Sequence, residues 1–359
     1  KPVLKTIDAQ NDDFIRTTEQ RHLDGSQAFW TDLYERDAVY KGGFSGWYSV
    51  GAEEFVGDDD VVDGEDDDEG HKVSVLDGSR VEQVTEENYF FRLSDYQDRL
   101  LELYEQRPDF IQPESVRNEL ISFVSRGLRD LSISRSTFDW GIEVPWDDEH
   151  VMYVWIEALL NYVTAIGYGT DSDRFDATWP AVHLVGKDIA RFHAVIWPAM
   201  LMAAGQPVPH RVFAHGWLLV GGQKMSKSKA NGIRPDELVS VFGSDAYRYY
   251  FARALTFGSD GSISFEDMHA RYHADLANGL GNLASRVAAM IGKYFDGQLP
   301  PVASTTADEQ VVIDLAATAV ADADAAIDAL APQDALASIW RLVDELNGYL
   351  ADQAPWQVA

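Results

Sequence analysis

The stretch Val182-His183-Leu184-Val185-Gly186-Lys187-Asp188-Ile189 decides how this chain folds. A short apolar strand ends on a glycine, and the pattern then turns helical from Ile189 to Ala204. A second strand-like run follows from Arg211 to Val220, centred on Val212-Phe213-Ala214. After it come Gly221-Gly222, the loop Lys224-Met225-Ser226-Lys227-Ser228, and a helical pattern from Pro235 to Arg253. Strand, helix, strand in this rhythm predicts a βαβ unit with a parallel sheet. Ligands of such sheets bind outside the carboxyl ends of the strands. Gly186 lies at one such end, before a helix N-terminus that favours negative groups, and His215-Gly216 lies at the next. The lysine loop puts two lysines and two hydroxyls on one short segment after a strand, where nucleotide phosphates are a suitable partner. A solvated Lys/Ser surface loop is the plain alternative.

The bulk composition sets wider bounds. With 359 residues, 46% hydrophobic and 12% aromatic, the chain reads as globular, with length for two or three cores. It contains no apolar run of about eighteen residues and no charged-then-apolar leader, so the expectation is a cytoplasmic protein without a membrane partner. The absence of cysteine excludes disulfides and thiolate zinc sites. The net charge of −30 argues against a nucleic-acid partner only as a global sum, because phosphate binding is local. Much of the acidity sits in the block from Glu53 to Gly70, which reads as a solvated, mobile loop.

Residues 1–35 read as helical pieces joined by Asp12-Asp13, and Lys41-Gly42-Gly43-Phe44-Ser45-Gly46-Trp47-Tyr48 reads as short strands and turns. From about Phe265 the pattern is all helix, broken at Pro332 and around Asp296 to Pro301. Two stripes stand out in the middle of the chain. Trp155, Ala158 and Tyr162 fall at i, i+3 and i+7, and Ile189, His193 and Trp197 at i, i+4 and i+8, each set on one helix face. Core packing is one reading of these stripes. A small aromatic pocket is the other, and it suits a thioether, whose sulfur packs against ring edges. Asp188 reads either as a ribose-hydroxyl acceptor or as a helix N-cap.

These pieces together resemble the methionyl-tRNA synthetase family, and Lys224-Met225-Ser226-Lys227-Ser228 matches the signature loop of class I aminoacyl-tRNA synthetases letter for letter. The resemblance covers most of the chain. It runs through Asn11-Asp12-Asp13-Phe14-Ile15-Arg16-Thr17-Thr18-Glu19, Asn88-Tyr89-Phe90-Phe91-Arg92-Leu93 and Leu131-Ser132-Ile133-Ser134-Arg135. It continues through Tyr153-Val154-Trp155-Ile156-Glu157-Ala158, Gly186-Lys187-Asp188-Ile189 to His193, Trp197-Pro198-Ala199-Met200 and Phe213-Ala214-His215-Gly216, in family order.

The resemblance implies an α/β fold: the C-terminal half of a Rossmann-like parallel sheet with a connective insertion, followed by an all-α bundle. It divides the chain into 1–35 as the end of the first Rossmann half, 36–115 as the insertion with its acidic loop at 53–70, and 116–230 as the second half. A linking, stem-contact region at 231–265 and an anticodon-binding domain at 266–359 follow. It also implies a methionine–tRNA ligase, activating methionine with ATP and Mg²⁺ and transferring it to tRNA(Met). Trp155, Ala158, Tyr162, Ile189, His193 and Trp197 would line the methionine pocket, with Gly186, Asp188 and His215 on the adenylate. Lys224 and Lys227 would hold the phosphates, Arg135 would act near the site, and Asn282, Arg286 and Trp356 would read the anticodon.

Three departures qualify that reading. No His-Ile-Gly-His-like motif occurs, so the first half of the nucleotide fold is expected to be missing. The insertion lacks the cysteine pairs of zinc-binding members, so no zinc is expected. Glu157 and Leu159 differ from the Asp and Pro of some relatives, pointing to a bacterial-type subgroup. One rival is a class I synthetase for another apolar amino acid. The other is a truncated or inactive fragment that binds tRNA without adenylating.

Overall fold

A computed structural model describes residues 2–49, 54–56, 60–64, 71–75, 78–137, 139–225, 232–299, 301 and 304–357. The chain is α/β, and it divides into two compact units: residues 13–214, and residues 1–12 together with 215–359.

In the first unit, helix Gln20–Glu35 turns one stripe inward, so that Phe29, Trp30 and Leu33 are fully buried. Strand Val39–Ser49 then runs antiparallel to Arg80–Phe91, in unbroken register from Val39 opposite Phe91 to Ser49 opposite Val81. Lys41 to Tyr48 is therefore one continuous strand, not short strands and turns. Each glycine there costs about 0.5–1 kcal/mol in a strand, and the long partner offsets that by satisfying the backbone groups in one ladder. The expectation of a loop at 53–70 also needs correction. Glu54–Val56 pairs with Trp47 to Ser49, and Val61–Asp63 pairs with Lys72–Ser74, with Val56 buried as an apolar anchor. Asp58, Asp59 and residues 65–70 lie outside the described residues.

A second sheet places Arg211–His215 between Val182–Gly186 and Ile111–Gln112, with Val212 parallel to Ile111. Its inner residues Val185, Val212 and Ala214 join Trp197, Met200 and Leu201 in the main core. The segment from Ile189 to Ala204 is not one regular helix. It consists of a 3₁₀ turn Lys187–Ile189, a π-helical turn Phe192–Ile196 and an α-helix Trp197–Ala203. Pro198 supplies the reason. It has no N–H for the carbonyl of Ala194, and its ring crowds a regular turn, so the preceding turn widens. The other stripe is split as well, between Val154–Leu159 and Asn161–Thr164.

In the second unit, Leu218–Val220 and Gln223–Lys224 form a hairpin whose turn residues Gly221 and Gly222 have φ of 60° and 76°. Positive φ at both positions is what a two-residue type I′ hairpin demands. Leu218–Val220 also pairs in parallel with Gly261–Ser262. The run from Arg211 to Val220 is thus two strands, interrupted at Gly216-Trp217. Likewise Pro235–Phe242 and Ser244–Ala254 are separate helices, broken where Gly243 takes φ of 83°. Leu238, Tyr250, Ile263 and Met268 form the small core beneath them.

The all-helical tail comprises Phe265–Arg271, a π-helical stretch Tyr272–Gly281, Asn282–Phe295, Ala307–Asp328 and Pro332–Gln353. Thr306 and Glu309 close a capping box on Ala307–Asp328, and Pro332 opens the next helix. Leu283, Val343 and Leu350 pack between Asn282–Phe295 and Pro332–Gln353. No helix among the described residues is long and apolar enough to cross a membrane.

Candidate functional site

In the first unit the two aromatic stripes meet. Tyr162 donates its hydroxyl proton to Nε2 of His193 at 2.7 Å, and Nδ1–H of His193 donates to the carbonyl of Ile189 at 2.9 Å. Trp197, fully buried, donates its indole N–H to Nε2 of His183 at 3.1 Å. The rings of Tyr162 and His183 lie 4.2 Å apart. Trp155 stacks on Phe192 at 5.1 Å, with 39% of its surface exposed. The carbonyl of Ala158 accepts from the Asn161 amide, which closes the turn between the two short helices.

The electrostatics agree with that bonding. Burial pushes His183 down to about 3, with the neighbouring His193 adding to the fall. Burial also lowers His193, against the bond to Ile189 that favours its proton, and it raises Tyr162. Both imidazoles are therefore neutral at neutral pH, which the two acceptor roles at Nε2 require. A stability consequence follows from the sign. Unfolded His183 takes up a proton near its ordinary value of 6.5, whereas folded His183 resists until about 3. Stability is expected to be flat in this respect above about pH 7 and to fall as pH drops below 6.5. Urea denaturation of the wild type and His183→Gln at about pH 5 and about pH 7.5 checks this. The variant should show the smaller pH difference.

Behind the stripes lies a buried polar network. Nε2 of His22 is 2.9 Å from Glu157 Oε1, and Nδ1 is 2.8 Å from Thr164 Oγ1. It ties helix Gln20–Glu35 to both short helices of the stripe. The sequence reading singled out neither His22 nor His183. His183 and Val185 are buried while Val182 and Leu184 are exposed, an alternation that the uniformly apolar neighbours of His183 do not reveal in the sequence.

Arg135, 2% exposed, stacks on Tyr153 at 4.0 Å, and its Nη1 donates to Ser134 O and Ser132 Oγ. Arg135 and Tyr153 line two cavities. One, of about 700 Å³, also has Tyr48, Trp140 and Glu157 on its wall; the other, of about 440 Å³, has Phe123, Arg191 and Phe192. Tyr162, Ile189, His193 and Trp197 stand on the wall of neither. Gly186 precedes the 3₁₀ turn as its N-cap, so Asp188, exposed within that turn, is not the cap.

The second unit carries the other part of the sequence-predicted set. His215 is exposed, with Nδ1 3.0 Å from the Gly216 carbonyl and its ring stacked on Phe257. Lys224 is exposed at the hairpin end, its Nζ 4.1 Å from the centre of the Trp217 ring. Lys227 lies outside the described residues. Among the described residues no group of three His, Asp or Glu is placed to hold a metal ion.

A family model for class I tRNA synthetases of the methionine type matches residues 1–288. The chain is 55% identical to a methionine–tRNA ligase of Streptomyces coelicolor, over all of this chain and 67% of that relative. It is 50% identical to those of Caldanaerobacter subterraneus, over all of this chain and 55% of the relative, and Brucella suis, over 99% and 68%. The chain thus spans 55% to 68% of the length of these relatives. Its fold matches Mycobacterium tuberculosis methionyl-tRNA synthetase bound by methionyl-adenylate with a TM-score of 0.93 at 43% identity, covering 99% of this chain and 70% of that one.

The chain belongs to the methionyl-tRNA synthetases.

They are class I aminoacyl-tRNA synthetases, a family of ATP-dependent ligases. In the helical tail of this synthetase chain, Asn282 and Arg286 occupy the first turns of Asn282–Phe295, both exposed. Nε of Arg286 donates to the Asn282 carbonyl at 3.4 Å. Trp356 sits in the closing 3₁₀ turn Pro355–Gln357 and is 46% exposed. The structure thus joins Tyr162, His193 and Ile189 by hydrogen bonds, links Trp197 to Tyr162 through His183, sets Trp155 and Ala158 on one short helix, and brings Asn282 to Arg286.

Proposed function

We propose that this chain carries the methionine-recognition, phosphate-holding and anticodon-reading parts of a methionine–tRNA ligase. Methionine's side chain would lie against Trp155, Ala158, Tyr162, Ile189, His193 and Trp197. Gly186, Asp188 and His215 would contact the adenylate, and Lys224 and Lys227 the phosphates. The methionine carboxylate attacks the α-phosphorus of ATP in line, and pyrophosphate leaves. The 3′-terminal ribose hydroxyl of tRNA(Met) then attacks the acyl carbon, and AMP leaves. Catalysis in this scheme is positioning plus charge neutralisation. Mg²⁺ would be held chiefly by the nucleotide's own phosphate oxygens.

The observation that best supports this reading is the neutral relay from Tyr162 through His193 to the Ile189 carbonyl. An uncharged, aromatic-walled cluster suits an uncharged thioether, and the relay holds its polar atoms in fixed roles. Charging of a tRNA(Met) transcript by the purified protein, with methionine against leucine, tests it. Methionine alone should be attached. Binding of the transcript with no charging would support the alternative, a chain that binds tRNA without adenylating.

The anticodon contacts are separable from the chemistry. Trp356→Ala is expected to weaken tRNA(Met) binding roughly tenfold, about the worth of one base stacked on an aromatic ring, and to leave adenylation unchanged. Filter binding beside pyrophosphate exchange measures both.

A further inference from the structure

We infer that Asn347 is the positioning residue of the anticodon-reading arginine, a proposal that rests on the anticodon role of Arg286. Asn347 lies on helix Pro332–Gln353, across from helix Asn282–Phe295. Its Oδ1 accepts from Nη2 of Arg286 at 2.7 Å, the shorter of the two hydrogen bonds that guanidinium makes here. Its Nδ2 donates to the carbonyls of Val343 at 3.0 Å and Gly279 at 3.3 Å. Those two acceptors settle the orientation of the amide. With the NH₂ group committed to carbonyls, the oxygen can face only the arginine.

The Gly279 carbonyl is offered by the π-helical stretch Tyr272–Gly281, immediately before the helix that carries Asn282 and Arg286. One half-buried amide therefore links three elements: the helix it stands on, the end of the π-helical stretch, and the exposed guanidinium. Arginine has five N–H donors, and the bonds to Asn347 and Asn282 use only part of them. The rest stay available to a base edge or a phosphate. An exposed arginine is otherwise free to sample many rotamers, and an RNA that binds it must order it. Asn347 orders it beforehand, so less is lost on binding. Asparagine suits this task better than aspartate, because a carboxylate would hold the cation in a charged pair and repel the RNA backbone.

The test is a double-mutant cycle on binding of an RNA stem-loop bearing the methionine anticodon, read by fluorescence anisotropy. Arg286→Ala, Asn347→Leu and the double variant are compared with the wild type. Asn347→Ser is measured alongside, so that loss of fold in the leucine variant, detected by thermal melting, leaves a second comparison. Asn347→Leu is expected to weaken binding roughly tenfold. The double variant should bind no more weakly than Arg286→Ala, because Asn347 acts through the arginine. A merely structural asparagine would give additive losses, and additivity overturns the inference. So does wild-type affinity in both Asn347 variants while Arg286→Ala binds poorly. If Arg286→Ala itself binds like wild type, the anticodon reading of that residue fails, and the inference falls with it.

Discussion

Alanine at Lys224 is expected to slow methionyl-adenylate formation by roughly 100-fold while leaving the KM for methionine nearly unchanged. The split between the two constants follows from where the residue stands. Lys224 ends a hairpin whose register, Leu219 opposite Lys224 and Val220 opposite Gln223, is fixed by the double-glycine turn. Its ammonium rests over the indole of Trp217 at 4.1 Å, so the charge is held at a defined place and not swept through solvent. No part of that hairpin belongs to the aromatic cluster around Tyr162 and His193. In the proposed role a cation there would meet charge that develops on the departing pyrophosphate, so its loss would be felt in kcat. Lys227→Ala, at a position outside the described residues, is expected to act in the same direction. Pyrophosphate exchange at saturating methionine measures the effect, and a near-wild-type kcat in both variants contradicts the role.

The second large effect is expected at the Tyr162–His193 pair. Tyr162→Phe leaves the buried Nε2 of His193 without its donor, and His193→Ala leaves the Tyr162 hydroxyl without its acceptor and opens a void. A buried polar group stripped of its partner costs about 1–3 kcal/mol, which is roughly 5- to 150-fold in an equilibrium. The kcat/KM for methionine should therefore drop by roughly 10- to 100-fold in each variant, chiefly through KM. Because the two residues share one bond, the double variant should lose less than the product of the single losses. Multiplicative losses would mean that the two side chains act separately on the substrate.

What the sequence disclosed follows the strength of local patterns. The strands at Val182 and Val212 and the turn at Gly221-Gly222 were legible because short apolar runs are punctuated by glycine, but the lysine segment reads as a loop and not as the returning strand of a hairpin. The stripes at Trp155 and Ile189 were legible as helical spacing, but their breaks were not. Leu160 gives no local signal for the split between Val154–Leu159 and Asn161–Thr164. The π turn before Pro198 and the positive φ of Gly243 were readable in principle, since each residue type forces its own exception. Strand Val39–Ser49 was hidden for the opposite reason. Its glycines look like turns, and what overrides them is a partner, Arg80–Phe91, that is distant in sequence. His22 with Glu157, and His183 with Trp197, are pairs between distant segments, and a single sequence carries no marker of such contacts. Asn347 beside Arg286 is of the same kind.

The central claim is that the neutral cluster around Tyr162 and His193 selects methionine. Amino-acid-dependent ATP–pyrophosphate exchange on the purified protein, with methionine, leucine and isoleucine compared at equal concentration, tests it most directly. The account predicts exchange with methionine and almost none with the two branched amino acids. Exchange supported equally by leucine or isoleucine, or absent with methionine, would contradict it.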